Sequence, residues 1–139
     1  MPANTVPIFT KTPKIGICNV NSANTACDGS GTLTSLFTAG DNGSRIERIR
    51  YSNAQATPAA SSAMVIRFFI TDVNGANPTL LAETSLATAT RSATAVGAGG
   101  SYTFANGLVI PAGTIIKVAQ SVYAGVQDMM HFVAEGGDY

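Results

Sequence analysis

Short apolar runs separated by turn residues recur along the whole chain. Gly, Pro, Asn, Asp and Ser bound these runs, and none of them shows the sustained i, i+3, i+4, i+7 spacing of an amphipathic helix. The pattern predicts strands over residues 14–20, 32–38, 45–53, 63–71, 79–86, 101–104, 113–122 and 129–135. Short strands at this spacing indicate an all-β protein, an antiparallel β-sandwich that resembles a jelly roll.

The most apolar run, AMVIRFFIT at residues 63–71, predicts a central strand. Strict alternation puts Ile66, Phe68 and Ile70 on one face, yet the opposite face is also largely apolar. We therefore expect this strand to be covered on both sides or pressed against another molecule. An Asn-Gly pair at residues 74–75 predicts a hairpin turn into the next strand.

The first thirteen residues have the composition of an extended arm, because they contain three prolines. Proline lacks the N–H that a sheet ladder needs, so we expect an N-terminal arm over residues 1–13 and one sandwich domain over residues 14–139. Ile8 and Phe9 are apolar residues on this arm. We expect them to dock on the flank of the domain or on a neighbouring subunit.

Charged residues make up only 12% of the chain, about half of the usual share, and the formal net charge is zero. A nucleic-acid partner is not expected, because such binding needs a basic excess. A membrane partner is not expected either, since no apolar run approaches the roughly 20 residues of a spanning helix. The start of the chain does not look like a signal peptide, so we expect synthesis in the cytoplasm.

The residues that carry enzyme chemistry are scarce and scattered. A G-x-S-x-G motif is absent, the acids lie between elements, and the single histidine, His131, has apolar neighbours that indicate a packed or partner-bonded side chain. Cys18 and Cys27 have a spacing that fits no zinc template. We predict no enzyme, no cofactor and no metal site. The two cysteines are either reduced structural residues or a disulfide formed later.

The densest charge lies in the stretch RIERIRY at residues 45–51. Simple alternation puts Arg48 and Arg50 on one face with Ile46, and Glu47 opposite. This stretch is either a solvated sheet face with weak ion pairs or a patch between subunits, where Arg gives planar contacts to carboxylates. The candidate contacts with a neighbouring subunit are therefore Ile8, Phe9, Arg45, Glu47, Arg48 and Arg50.

Three regions of the chain resemble a known group of proteins. They are SANT and DGSGTL within residues 22–33, LFTAG and GSRIERI within residues 36–49, and LVIPAG at 108–113 with GGDY at 136–139. Their order resembles the small β-rich structural proteins of tailed phages and prophages, most of all capsid decoration (cement) proteins. The shared motifs are turns and strand edges, so the resemblance implies a fold and a context more than a mechanism.

The resemblance implies a phage virion structural protein that binds the outer capsid lattice and stabilises the head. Its implied partners are the major capsid protein and further copies of itself, with a trimer favoured and a dimer possible. Its implied location is the capsid surface of the virion, after synthesis in the host cytoplasm.

Two other functions stay open at this stage. One is a tail- or fibre-associated module that recognises a host surface glycan, for which an aromatic platform is needed. The tyrosines available for such a platform are Tyr51, Tyr102, Tyr123 and Tyr139. The other is a cell-wall hydrolase, which is the least favoured because no catalytic constellation is visible.

Overall fold

Eight strands form two antiparallel sheets that enclose one apolar core. The computed structural model describes residues 9–56 and 58–139. The strands are β1 (Thr12–Val20), β2 (Thr34–Thr38), β3 (Ser44–Asn53), β4 (Met64–Ile70), β5 (Thr79–Leu86), β6 (Gly99–Ile110), β7 (Ile115–Gln120) and β8 (Met130–Asp138). The first sheet has the order β1-β8-β3-β6 and the second has the order β2-β7-β4-β5. The prediction of an antiparallel β-sandwich is confirmed.

Successive strands mostly cross from one sheet to the other. The exception is the pair β4 and β5, which are neighbours in the second sheet and are joined by the predicted hairpin. In that turn the carboxylate of Asp72 accepts bonds from the N–H groups of Asn74 and Ala76, both at 2.9 Å. Gly75 has a φ of 72°, the left-handed conformation that the Asn-Gly signal indicates.

The start of β1 corrects the expected boundary of the N-terminal arm. Thr12 and Pro13 pair with Asp138 and Gly137 of β8, so they belong to the sheet and not to an arm over residues 1–13. Proline is tolerated there because β1 is an edge strand and has a neighbour on one side only.

The core lies between the sheets and is made by alternate residues of the central strands. Phe68 of β4 and Phe132 of β8 are fully buried, and their rings meet edge to face across the sandwich with centroids 6.4 Å apart. Phe69 is also buried, although it points away from this core. The hairpin at residues 72–78 folds back over that side, where Lys117 donates to the carbonyl of Gly75 at 3.0 Å. At Phe69 the central strand is therefore covered on both sides, as expected.

β1 lies close against β2 along one side of the sandwich. A Cβ atom at Gly16 would stand 2.2 Å from the carbonyl oxygen of Leu36, which is too close for any side chain. Gly16 is therefore required by the approach of the two backbones, and it fixes the position of β1.

A buried carboxylate closes one end of the sandwich. Asp128 is the last residue of a 3-10 turn, Val126–Asp128, and is fully buried. Its oxygens accept bonds from the N–H and hydroxyl of Ser62, at 2.7 and 2.9 Å, and from the N–H of Ala124 at 2.8 Å. Burial alone would raise the pKa of Asp128, but these bonds outweigh it and the pKa is lowered.

We expect Asp128→Ala to lower the free energy of unfolding by about 2–4 kcal/mol, because part-buried donors on two loops lose the buried acceptor that joins them. Chemical denaturation at neutral pH measures the change. The matched control is Asp41→Asn, since Asp41 is an exposed acid on a turn. Equal stability of the two variants would contradict a structural role for Asp128.

Candidate functional site

The charged residues of β3 lie on the outer face of the first sheet, in the middle of that sheet. β3 runs between β8 and β6, and the register puts Arg48 opposite Glu135 and Arg50 opposite Val133. Arg48 and Arg50 have side chains that are 48% and 55% exposed. Both guanidinium groups therefore remain accessible to another molecule.

The expectation that Ile46 shares a face with Arg48 and Arg50 is wrong. The pairing of β3 shifts between Ile46 and Arg48 against both neighbouring strands, so Glu47 is an extra residue in a β-bulge. A bulge resets the alternation of faces. Ile46 and Ile49 therefore both point into the core, while Arg48 and Arg50 both point outward.

Glu135 holds the two arginines together. Its carboxylate accepts a bond from the Nε of Arg48 and lies 2.6 Å from the Nη2 of Arg50. The hydrogen bond from Arg48, assisted by the positive charges of both arginines, keeps the pKa of Glu135 below its usual value. One carboxylate between two guanidinium groups leaves this cluster with one net positive charge.

Arg45 and Glu47 form a second and separate group. The Nε of Arg45 lies 2.7 Å from Glu47, and its Nη2 donates to the carbonyl of Asn106 at 2.6 Å. The register of β3 with β6 jumps from Leu108 to Thr103, which leaves residues 104–107 of β6 without partners in β3. Arg45 therefore braces this irregular segment of β6, and much of its side chain is shielded from solvent.

An apolar strip that sequence reasoning missed borders the charged cluster. Ile15 and Ile17 of β1 are 65% and 73% exposed, and they pair across the sheet with Glu135 and Val133. Alternation within residues 14–20 was the available signal, because it puts both isoleucines on one face. We call the following set the outer patch: Ile15, Ile17, Val133, Glu135, Arg48 and Arg50.

The structure tests the prediction for Phe9 but not the prediction for Ile8, the two apolar residues of the expected arm. Ile8 lies outside the described residues, so its predicted contact stays a prediction. Phe9 is described and is 79% exposed, so it does not dock on the flank of its own domain. Docking of Phe9 on a neighbouring subunit stays a prediction.

The structure brings together no metal-binding group of three His, Cys, Asp or Glu residues within residues 9–56 and 58–139. Over the same residues it has no helix that is long and apolar enough to cross a membrane. His131 is exposed on the outer face of β8, so of the two expectations the packed side chain is wrong, and a bond to a partner stays a prediction. Cys18 and Cys27 are both free thiols, and burial raises the pKa of Cys18 to about 12.

Two of the four tyrosines cannot serve as an exposed aromatic platform. Tyr51 is buried in the core, where its ring packs near Phe132. Tyr102 packs against Phe104 and Phe68, with centroid distances of 5.2 and 5.8 Å. The ring of Tyr51 is therefore unavailable to a ligand and the ring of Tyr102 is partly used by the sandwich itself, while glycan binding stays a prediction.

Comparisons of the chain with protein-family models, with curated proteins and with solved structures found no match.

The lowered pKa of Glu135 predicts an acid-dependent coupling with Arg48. Because the pKa is lower in the folded state, the stabilisation is present above the ordinary value of 4.5 and is lost as the pH falls through the lowered pKa. In a double-mutant cycle of Arg48→Gln and Glu135→Gln, we expect a favourable coupling energy at neutral pH that disappears at low pH. Thermal or chemical unfolding measures it, and a coupling independent of pH would contradict the ion pair.

Proposed function

We propose that this protein is a virion structural protein of a tailed phage, a capsid decoration (cement) protein that binds the outer capsid lattice through its outer patch. The observation that carries the proposal is the composition of that patch. It combines two exposed isoleucines with two half-exposed arginines on the rigid face of one sheet. The major capsid protein is the proposed partner, and the capsid surface is the proposed location.

The connectivity of the sandwich supports this proposal by analogy. We interpret the strand orders β1-β8-β3-β6 and β2-β7-β4-β5, with successive strands crossing between the sheets, as a jelly roll. Jelly rolls occur in viral capsid domains and also in lectins, so the fold favours a binding role without selecting the ligand.

The chemistry of the outer patch suits a protein surface that carries carboxylates. Arg48 and Arg50 share the single carboxylate of Glu135, and the exposed parts of their guanidinium groups can donate to a partner. Burial of Ile15 and Ile17 against the partner would make the free energy of binding more favourable by about 25 cal/mol for each Å² of apolar surface covered. A modest contact is sufficient for a decoration protein, because many copies bind one lattice.

The zero net charge of the chain is consistent with dense packing of copies on a shell. A homo-oligomer is part of the proposal. The resemblance favours a trimer and allows a dimer, and both are closed symmetries.

We expect the double variant Arg48→Gln and Arg50→Gln to lose co-sedimentation with purified capsid shells, because the donors to the lattice are removed. Its melting temperature should stay close to that of the unchanged protein, since both side chains are on the surface. The matched control is Ala93→Glu with Ala95→Glu on an exposed loop, which changes the net charge by the same amount.

Three outcomes decide this experiment. Loss of binding by the arginine variant alone supports the proposal. Equal loss by both variants means that net charge, and not the outer patch, controls binding. An unchanged protein that ignores shells but binds a glycan array would overturn the proposal in favour of a host-recognition module.

The arm is tested separately by deleting residues 1–8. The deletion stops there because Lys11 donates its N–H to the carbonyl of Asp138 and β1 begins at Thr12. If the arm contacts a neighbour, we expect weaker shell binding with little change in melting temperature. A large fall in melting temperature would assign the arm to the fold of the domain.

A further inference from the structure

The two sheets have four edges, and an unpaired edge strand presents free N–H and C=O groups that can pair with another chain. The edge strands are β1 and β6 in the first sheet and β2 and β5 in the second. Natural sheets protect such edges with bulges, short strands, prolines or charged side chains. The four edges of this protein differ in how they are protected.

Three of the edges carry an irregularity. β2 has only five residues and its pairing shifts between Ser35 and Phe37. The pairing of β5 shifts opposite Phe68 and Phe69. β6 is interrupted at residues 104–107, where Asn106 and Gly107 have positive φ values of 62° and 75°. Each irregularity disturbs the regular ladder that a second strand would need.

β1 has no such irregularity. It pairs with β8 in an unbroken register from Thr12 to Val20. Its one charged residue, Lys14, is held by its own subunit, because the ammonium donates to Asp138 at 3.1 Å and to the carbonyl of Thr38 at 2.6 Å. Ile15 and Ile17 stand exposed beside this regular edge. Pro13 protects only the start of β1, so from Lys14 to Val20 this strand is the least protected edge of the described sandwich.

We propose that β1 pairs antiparallel with β1 of a second copy of this chain, across a twofold axis at Gly16. This register puts Ile15 opposite the partner's Ile17 and Ile17 opposite the partner's Ile15. The two first sheets then form one continuous eight-stranded sheet. Residues directly opposite in an antiparallel pair have Cβ atoms about 5 Å apart, so both isoleucine pairs are in contact.

The sequence of β1 favours a second copy over an unrelated strand. The segment Lys14-Ile15-Gly16-Ile17-Cys18 is nearly symmetric about Gly16, so antiparallel pairing with itself matches apolar with apolar. Lys14 falls opposite the partner's Cys18, and no like charges face each other. The contact uses the same surface on both copies, so it closes as a dimer and does not propagate into a filament.

The position of β1 also suits this contact. The close approach of Gly16 to Leu36 holds the strand against β2, so the edge is presented without rearrangement. The dimer does not depend on the proposed capsid binding; the two share Ile15 and Ile17 of the outer patch, but only capsid binding uses Arg48 and Arg50. Pairing of β1 with itself therefore predicts a dimer, whereas the resemblance favours a trimer.

The test is the mass of the whole chain in solution, measured by sedimentation over a range of concentrations. We expect a species of twice the 14.2 kDa chain mass. In the double variant Ile15→Lys and Ile17→Lys, the introduced charges face each other across the axis, and dimerisation should weaken by roughly 100-fold or more. In the double variant Ile15→Lys and Ile17→Glu, the same register puts opposite charges together, and the dimer should return.

The matched control is Val109→Lys, because Val109 is an exposed valine of β6 in the same sheet. It should leave the dimer intact. A monomer at every concentration, both as the full chain and after deletion of residues 1–8, would overturn the proposal. An oligomer that the two lysines do not weaken would overturn it as well. Failure of either kind leaves the shell-binding result for Arg48 and Arg50 unaffected, so the two proposals are distinguishable.

Discussion

The outer patch depends on the pairing of β8 between β1 and β3. That pairing puts Glu135 beside Ile15 on one side and beside Arg48 on the other. The bulge at Glu47 then turns Arg48 and Arg50 outward and keeps Ile49 in the core. One register therefore decides which side chains meet on the surface. A shift by one residue would bury the arginines and expose the core, which is why the register is strongly specified.

The prediction from sequence worked where hydrophobic alternation is regular and failed where the ladder is interrupted. The hairpin strand at residues 79–86 has the predicted bounds, because turn residues mark both of its ends. β6 is much longer than the predicted 101–104, since its irregular segment at 104–107 hides the continuation of the strand. The face of Ile46 was wrong because the bulge at Glu47 shifts the alternation, so that Ile46 and Ile49, three residues apart, share the core face.

The candidate site was predictable only in part. The charges of β3 stood out because the rest of the chain has so few. The exposure of Ile15 and Ile17 did not stand out, since an isoleucine on a strand ordinarily predicts a core position. Whether such a residue is covered depends on the loops and on neighbouring chains, and that information is not local. The burial of Tyr51 was missed for the same reason.

The pairing of β1 with β8 also has a consequence for biosynthesis. Thr12 and Asp138 are partners although they lie near opposite ends of the chain. During translation β1 is made first of the eight described strands, whereas its neighbour in the first sheet, β8, is made last of them. The nascent chain therefore holds an apolar strand with neither edge occupied, which is an opportunity for wrong pairing with nearby chains. Slow closure of distant strands makes this interval longer. The first sheet is therefore expected to form only after β8 has been made.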